Sequence, residues 1–143
     1  MIDRRTFLED AEVTALLTRL TRVVLANAKG HRHEGWIPRS VSDINDGWCA
    51  LWAALARRLV GGQLLATDSH VFLHRNGRFY DSERPAGVFD YTTLPFYDKG
   101  FDGPVHEVTA ECAYEGWSGM APFKHPPYNW LKQVHNRQQQ EAA

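Results

Sequence analysis

From Thr6 to Lys29, apolar residues return at helical spacing. Phe7, Val13, Leu16, Leu17, Leu20, Val23 and Val24 form one stripe, with polar and charged residues between them. That period predicts an amphipathic helix, with Gly30 as its stop. A polar connector follows, "GHRHEGWIPRSVSDIND", broken by Gly35 and Pro38. The pattern then changes. From Trp48 to Ala56 the chain is apolar on every side, which predicts a second helix over Gly47 to Val60, buried against a sheet. Asp46 is the expected N-cap, Arg57 and Arg58 suit the negative end of the helix dipole, and Gly61-Gly62 terminate it.

Next the period shortens to two. "HVFLHR" and "RFYDSE" flank Asn76-Gly77, a pair that readily takes positive φ at both positions and so predicts a two-residue hairpin loop. With that loop Arg75 opposes Arg78, His74 opposes Phe79 and Phe72 opposes Asp81. Side chains alternate along a strand and opposed residues share a face. One face therefore carries His70, Phe72, His74, Phe79, Asp81 and Glu83, and the other carries Val71, Leu73 and Tyr80, an apolar trio for the core. Beyond Pro85, glycine, proline and aromatics dominate. "YTTLPFYDKGF" reads as loop, "PVHEVTAECAY" as a strand, "MAPFKHPPYNW" as surface coil and "NRQQQEAA" as a frayed tail. Together the elements predict one α+β domain over residues 1–143, with N-terminal helices and a central cysteine-bearing helix packed on a small antiparallel sheet.

Composition mainly removes alternatives. With 143 residues, 43% of them hydrophobic and 23% charged, the chain has an ordinary globular balance and room for one core. The net charge is -1 with both signs spread along the chain, so no basic block marks a nucleic-acid or anionic-membrane surface. "MIDRRTFLEDAEVTALL" places charges ahead of any apolar run and does not read as a signal peptide. The longest apolar run ends at Ala56 before Arg57 and Arg58, far too short to span a bilayer. Two cysteines without an export signal predict reduced thiols and a cytoplasmic location.

Cys49 falls in the first turn of the second helix. There the unpaired amides and the dipole favour a thiolate, whereas an ionised Asp46 at the cap opposes it. Taken alone, a helical cysteine is ordinarily a small buried hydrophobe. The hairpin changes that reading. Its register makes Asp81 a diagonal neighbour of both His70 and His74, at roughly 7–8 Å between backbones, which sets an imidazole beside a carboxylate that can orient it. A thiol, an imidazole and a carboxylate are the parts of a nucleophilic site.

In order and placement, "NDGWCALWAAL", "HVFL" and "FYD" resemble the papain-like superfamily of thiol hydrolases, in the compact arrangement shared by transglutaminase-like and NlpC-type domains. They are also similar to small proteins of bacterial and phage genomes with an "N-x-G-x-C … HV … YD" pattern. The resemblance covers roughly residues 43 to 90. It implies Cys49 as nucleophile, His70 as base, Asp81 as the acid that holds it, and acyl chemistry on an amide or ester, but it fixes no substrate; a peptide or protein is the expected one. The "GSCW" flank of that superfamily is absent, and no glutamine precedes the cysteine at the usual oxyanion position. Asn45 is the side chain that can take that role, with the Cys49 backbone amide as second donor. The competing reading is a non-catalytic binding or inhibitory module on the same scaffold, of phage type.

Other features carry less. His31 and His33 lie in a polar loop and read as solvated. His70 and His74 cannot share a metal, because four residues of strand separate their backbones by about 13 Å; neither a metal nor a cofactor is expected. Cys112 reads as core. "EGWSGMA" fails as a serine-hydrolase elbow because Met120 stands where glycine is required. Asp90 is a weaker alternative acid. Trp36, Phe89, Tyr91, Phe96, Tyr97, Phe101, Trp117 and Trp130 are expected to supplement a small core, some of them lining a cleft beside the cysteine.

Overall fold

The computed structural model describes residues 3–30, 37–110, 114 and 123–142, the last six of these by backbone only. A short 3-10 turn, Arg4–Phe7, precedes α1 (Asp10–Gly30), α2 (Val41–Ile44), α3 (Cys49–Val60), β1 (Gln63–Ala66), β2 (Val71–Arg75), β3 (Arg78–Tyr80), β4 (His106–Val108) and α4 (Leu131–Ala142). The strands form one sheet in the order β3-β2-β1-β4, every neighbouring pair antiparallel. The chain is α+β. No helix among the described residues is long and apolar enough to cross a membrane.

The stripe of α1 is buried as its period requires, but the helix starts later than Thr6. Asp3 accepts the Arg5 backbone N–H at 3.0 Å and caps the separate 3-10 turn, and Leu8 is extended. Phe7 consequently leaves the stripe and is 68% exposed. α3 lies between α1 on one side and β1 and β2 on the other, so it has no polar face before Arg57. The Trp52 indole N–H donates to Thr21 Oγ1 on α1 at 3.0 Å.

The two ends of α3 are built differently. Its N-cap is Trp48, which makes no capping hydrogen bond with its side chain, while the expected cap, Asp46, is exposed in the turn before it. The short helix α2, capped by Ser40, occupies residues expected to be connector and sets where α3 can begin. At the other end, Arg5 Nη1 donates to the carbonyls of Arg57 and Arg58, and the buried Arg75 donates Nε to Val60. These guanidinium groups hold carbonyls of the last turn, of which that of Arg57 also accepts the Gly61 N–H at 2.8 Å. Gly61 and Gly62 turn the chain at φ +80° and +101°. A Cβ on Gly62 would sit 2.5 Å from the His74 carbonyl oxygen. Gly62→Ala is therefore expected to cost more than about 1 kcal/mol in a denaturant melt, and an unchanged midpoint would contradict this backbone geometry.

Asn76 and Gly77 have φ +49° and +75°, the paired positive values of a type I′ hairpin. The register follows as expected, Arg75 opposite Arg78 and His74 opposite Phe79, with Leu73 opposite Tyr80. Val71, Leu73 and Tyr80 are buried in the core, whereas a slip of one residue would have turned all three outward. Elsewhere the sheet departs from expectation. β1, just after Gly61-Gly62, has no counterpart among the elements the sequence predicts; four residues carry little periodicity, and its strand state comes from pairing with β2 and β4. Among the described residues of the strand expected over 104–114, only His106–Val108 forms a strand, and Ala110 and Tyr114 are helical. The C-terminal tail is helical to Ala142 rather than frayed. Val134 is buried, and Asn27 of α1 donates to Gln133 at 2.9 Å, which docks that helix.

Candidate active site

Cys49 is the first residue of α3 and is 4% exposed. With no side-chain cap at Trp48, the first-turn amides face the thiol end of the helix without a protein side chain of that residue to satisfy them. His70 immediately precedes β2, and its carbonyl accepts the Thr67 N–H at 2.9 Å. Asp81 immediately follows β3. The imidazole and carboxylate are 2% and 1% exposed, and His70 Nε2 lies 3.1 Å from Asp81 Oδ2. Asp81 Oδ1 accepts the backbone N–H of Glu83 at 2.9 Å, so both carboxylate oxygens are held.

His70 Nδ1 is buried and makes no well-aligned hydrogen bond among the described residues. Cys49 is nevertheless among the groups that act on the ring. Burial by itself would pull the His70 pKa down, but hydrogen bonding to Asp81 and to Cys49, together with their negative charge, raises it to about 9. The imidazolium is thus the state this site favours at neutral pH. Since the folded value lies above the ordinary 6.5, the stabilisation it brings is complete below pH ~6.5 and is lost as pH rises through about 9. An NMR titration of the His70 ring is expected to show a midpoint near 9 that falls in Asp81→Asn. A wild-type midpoint at or below the ordinary value would refute the pairing.

The structure separates the two histidines. His74 is half-buried, stacks on Phe79 with ring centroids 4.6 Å apart, and sets Nδ1 3.5 Å from Gln63 Oε1. Asp81 is occupied by His70. Asp90 caps the turn at Tyr91–Thr93, accepting from the Thr92 backbone N–H and hydroxyl, and those hydrogen bonds hold its pKa below the usual range. Asn45 is buried, but its Nδ2 donates to Glu83 Oε2 at 2.9 Å, so that amide group already holds a carboxylate. No group of three or more His, Cys, Asp and Glu side chains among the described residues is arranged to hold a metal ion. His31, His33, Trp36, Cys112, Trp117 and Met120 lie outside the described residues.

Several contributors to the site had no local signal. The His70 ring is flanked by Phe72 at 5.6 Å and by Phe96 at 5.9 Å, the latter from the loop that follows Tyr91–Thr93. Two aromatics thus flank the imidazole among the described residues. That loop is tied down by Asp102, whose Oδ1 accepts from Thr67 Oγ1 and from both the N–H and hydroxyl of Ser69, and whose Oδ2 accepts the Asp98 N–H. Burial alone would raise the Asp102 pKa, but the hydrogen bonds from Ser69, Thr67 and Asp98 outweigh it and lower it. Asp102→Ala strands those donors beside His70 and is expected to cost about 1–3 kcal/mol in a thermal or urea melt. A loss well below that range would mean the loop is held by other contacts. No pattern in "DKGFDGP" pointed to Asp102, since its partners next to His70, Thr67 and Ser69, lie more than thirty residues away in sequence.

Compared with known proteins, the chain matches no family model, no curated protein and no solved structure.

Proposed function

We propose that the protein is a cysteine hydrolase of the papain-like kind, acting on an amide or ester of a peptide or protein, with Cys49 as nucleophile, His70 as general base and acid, and Asp81 as the group that orients the imidazole. The observation that carries this reading is the buried His70–Asp81 pair with the Cys49 sulfur bearing on the same ring. Asp81 occupies Nε2 and fixes the plane of the ring, which leaves Nδ1 for the thiol proton.

In the reaction, Cys49 Sγ attacks the carbonyl carbon to form a C–S bond, while the thiol proton resides on His70. The oxygen that becomes negative would be met by backbone amides at the start of α3, which favour an anion there. His70 then gives its proton to the departing nitrogen or oxygen as the C–N or C–O bond breaks, leaving an acyl-thioester. Water attacks that thioester, its proton passes to His70, and the C–S bond breaks to release the acid and restore Cys49.

The second reading, a non-catalytic binding or inhibitory module, is favoured by one observation: Cys49 and His70 are only 4% and 2% exposed. The two readings part in a simple experiment. A p-nitrophenyl ester is mixed with the protein and the adduct is located by peptide mass spectrometry. A hydrolase acylates at Cys49 and turns the ester over. Absence of any Cys49 adduct, or equal acylation in Cys49→Ser, removes the enzyme reading.

A further inference from the structure

The thiol opens α3 and the carboxylate ends β3, two elements that no strand pairing joins. A short run of polar bonds links them instead. Asn45, four residues before Cys49, is 3% exposed and donates Nδ2 to Glu83 Oε2 at 2.9 Å. The Glu83 backbone N–H donates to Asp81 Oδ1 at 2.9 Å, and Asp81 Oδ2 meets His70. Beside this run, Ser82 Oγ donates to the Val41 carbonyl at 2.8 Å, at the first residue of α2.

The backbone around Asn45 has little freedom. Its N–H donates to the Ser42 carbonyl at 3.1 Å, and the Trp48 N–H donates to the Ile44 carbonyl at 3.0 Å. A shift of Asn45 is therefore passed to the first residue of α3. The bond is partly buried, and a hydrogen bond to a charged carboxylate is shorter and stronger than one between neutral groups.

We propose that Asn45 and Glu83 are positioning residues, whose bond latches the start of α3 to the end of β3 and sets the separation of the Cys49 sulfur from the His70–Asp81 pair. This deepens the thiol-hydrolase reading and rests on it. It also gives Asn45 a different role from an oxyanion donor. Alkylation of a thiol forms no tetrahedral oxyanion, so an oxyanion donor has no effect on it, whereas a latch does.

The test measures two quantities at once: the rate of Cys49 alkylation by iodoacetamide in the folded protein at pH 7, and the NMR titration midpoint of His70. Asn45→Ala and Glu83→Ala are each expected to slow alkylation about fivefold, and the double variant to be no slower than the slower single one. Glu83→Gln keeps an acceptor for the Asn45 side-chain Nδ2–H and is expected to react within about twofold of wild type. The His70 midpoint, about 9 in the wild type, is expected to fall in both alanine variants and to hold in Glu83→Gln. If either alanine variant does not fold, Asn45→Ser and Glu83→Asp, each too short to span the gap, carry the same comparison. Variants that melt earlier but keep both the rate and the midpoint would reduce the bond to a structural one and overturn the latch, as would additive losses in the double variant. The hydrolase reading fails separately: it falls, and the latch with it, if wild-type Cys49 alkylates more slowly in the folded protein than in the unfolded chain.

Discussion

His70→Ala is expected to slow acylation of Cys49 by an activated ester about a hundredfold or more, whereas His74→Ala is expected to leave the rate within about twofold of wild type. The asymmetry comes from partners, not from position along the strand. Both imidazoles project from the same face of the β2–β3 hairpin, but only His70 is paired with Asp81, at 3.1 Å and out of contact with solvent. His74 stacks on Phe79 and sits beside Gln63. Without the His70 ring the sulfur loses both its proton acceptor and the positive charge that faces it. Asp81→Asn is a milder version, keeping the ring while removing the carboxylate that orients it. Stopped-flow release of p-nitrophenol from each variant reads the effect. A His74→Ala variant that lost activity while His70→Ala kept it would reverse the assignment.

Trp52→Ala is expected to destabilise the protein by about 3–5 kcal/mol. Trp52 lies in the middle of α3, almost wholly buried, and its indole N–H is bonded to Thr21 on α1. Truncation to alanine opens a cavity between two helices and leaves the Thr21 hydroxyl without that donor. Urea denaturation followed by circular dichroism measures it. A loss below ~1 kcal/mol would mean that α1 and α3 can close over the cavity, and that the support of α3 comes chiefly from the sheet. The consequence reaches the site, because α3 is the element that presents Cys49.

The parts of the fold that were legible in the sequence are those whose signal is local. Asn76-Gly77 dictates a loop with positive φ at both residues, and that loop dictates the register that sends Val71, Leu73 and Tyr80 inward. The same register puts His70 and Asp81 on the other face. The all-round apolar run from Trp48 to Ala56 likewise announced a helix buried on two sides. What was not legible depends on residues distant in sequence. β1 is a strand because β2 and β4 pair with it, and α2 with its Ser40 cap displaces Asp46 from the start of α3. Asn45 meets Glu83 across 38 positions, a bond that spacing and residue type could not disclose. Phe96 reaches His70 only because Asp102 ties its loop back to Thr67 and Ser69.

The charge state of His70 couples this geometry to reactivity. Hydrogen bonding to Asp81 and to Cys49 raises the His70 pKa to about 9 against the pull of burial, so in the proposed mechanism the ring would hold the proton it gives to the leaving group. A buried cysteine with no such neighbour is an inert hydrophobe. The two possibilities give opposite consequences for folding, since burial protects an inert thiol while an assembled site activates it.

The decisive measurement is the rate at which iodoacetamide alkylates Cys49 at pH 7 in the folded protein and in the urea-unfolded chain, read by peptide mass spectrometry so that Cys49 and Cys112 are counted separately. If Cys49, His70 and Asp81 form a nucleophilic site, Cys49 should react about tenfold faster folded than unfolded, despite being 4% exposed, and the acceleration should vanish in His70→Ala. A Cys49 that reacts more slowly folded than unfolded, with His70→Ala making no difference, would contradict that assignment and leave a buried thiol in a protein without thiol chemistry.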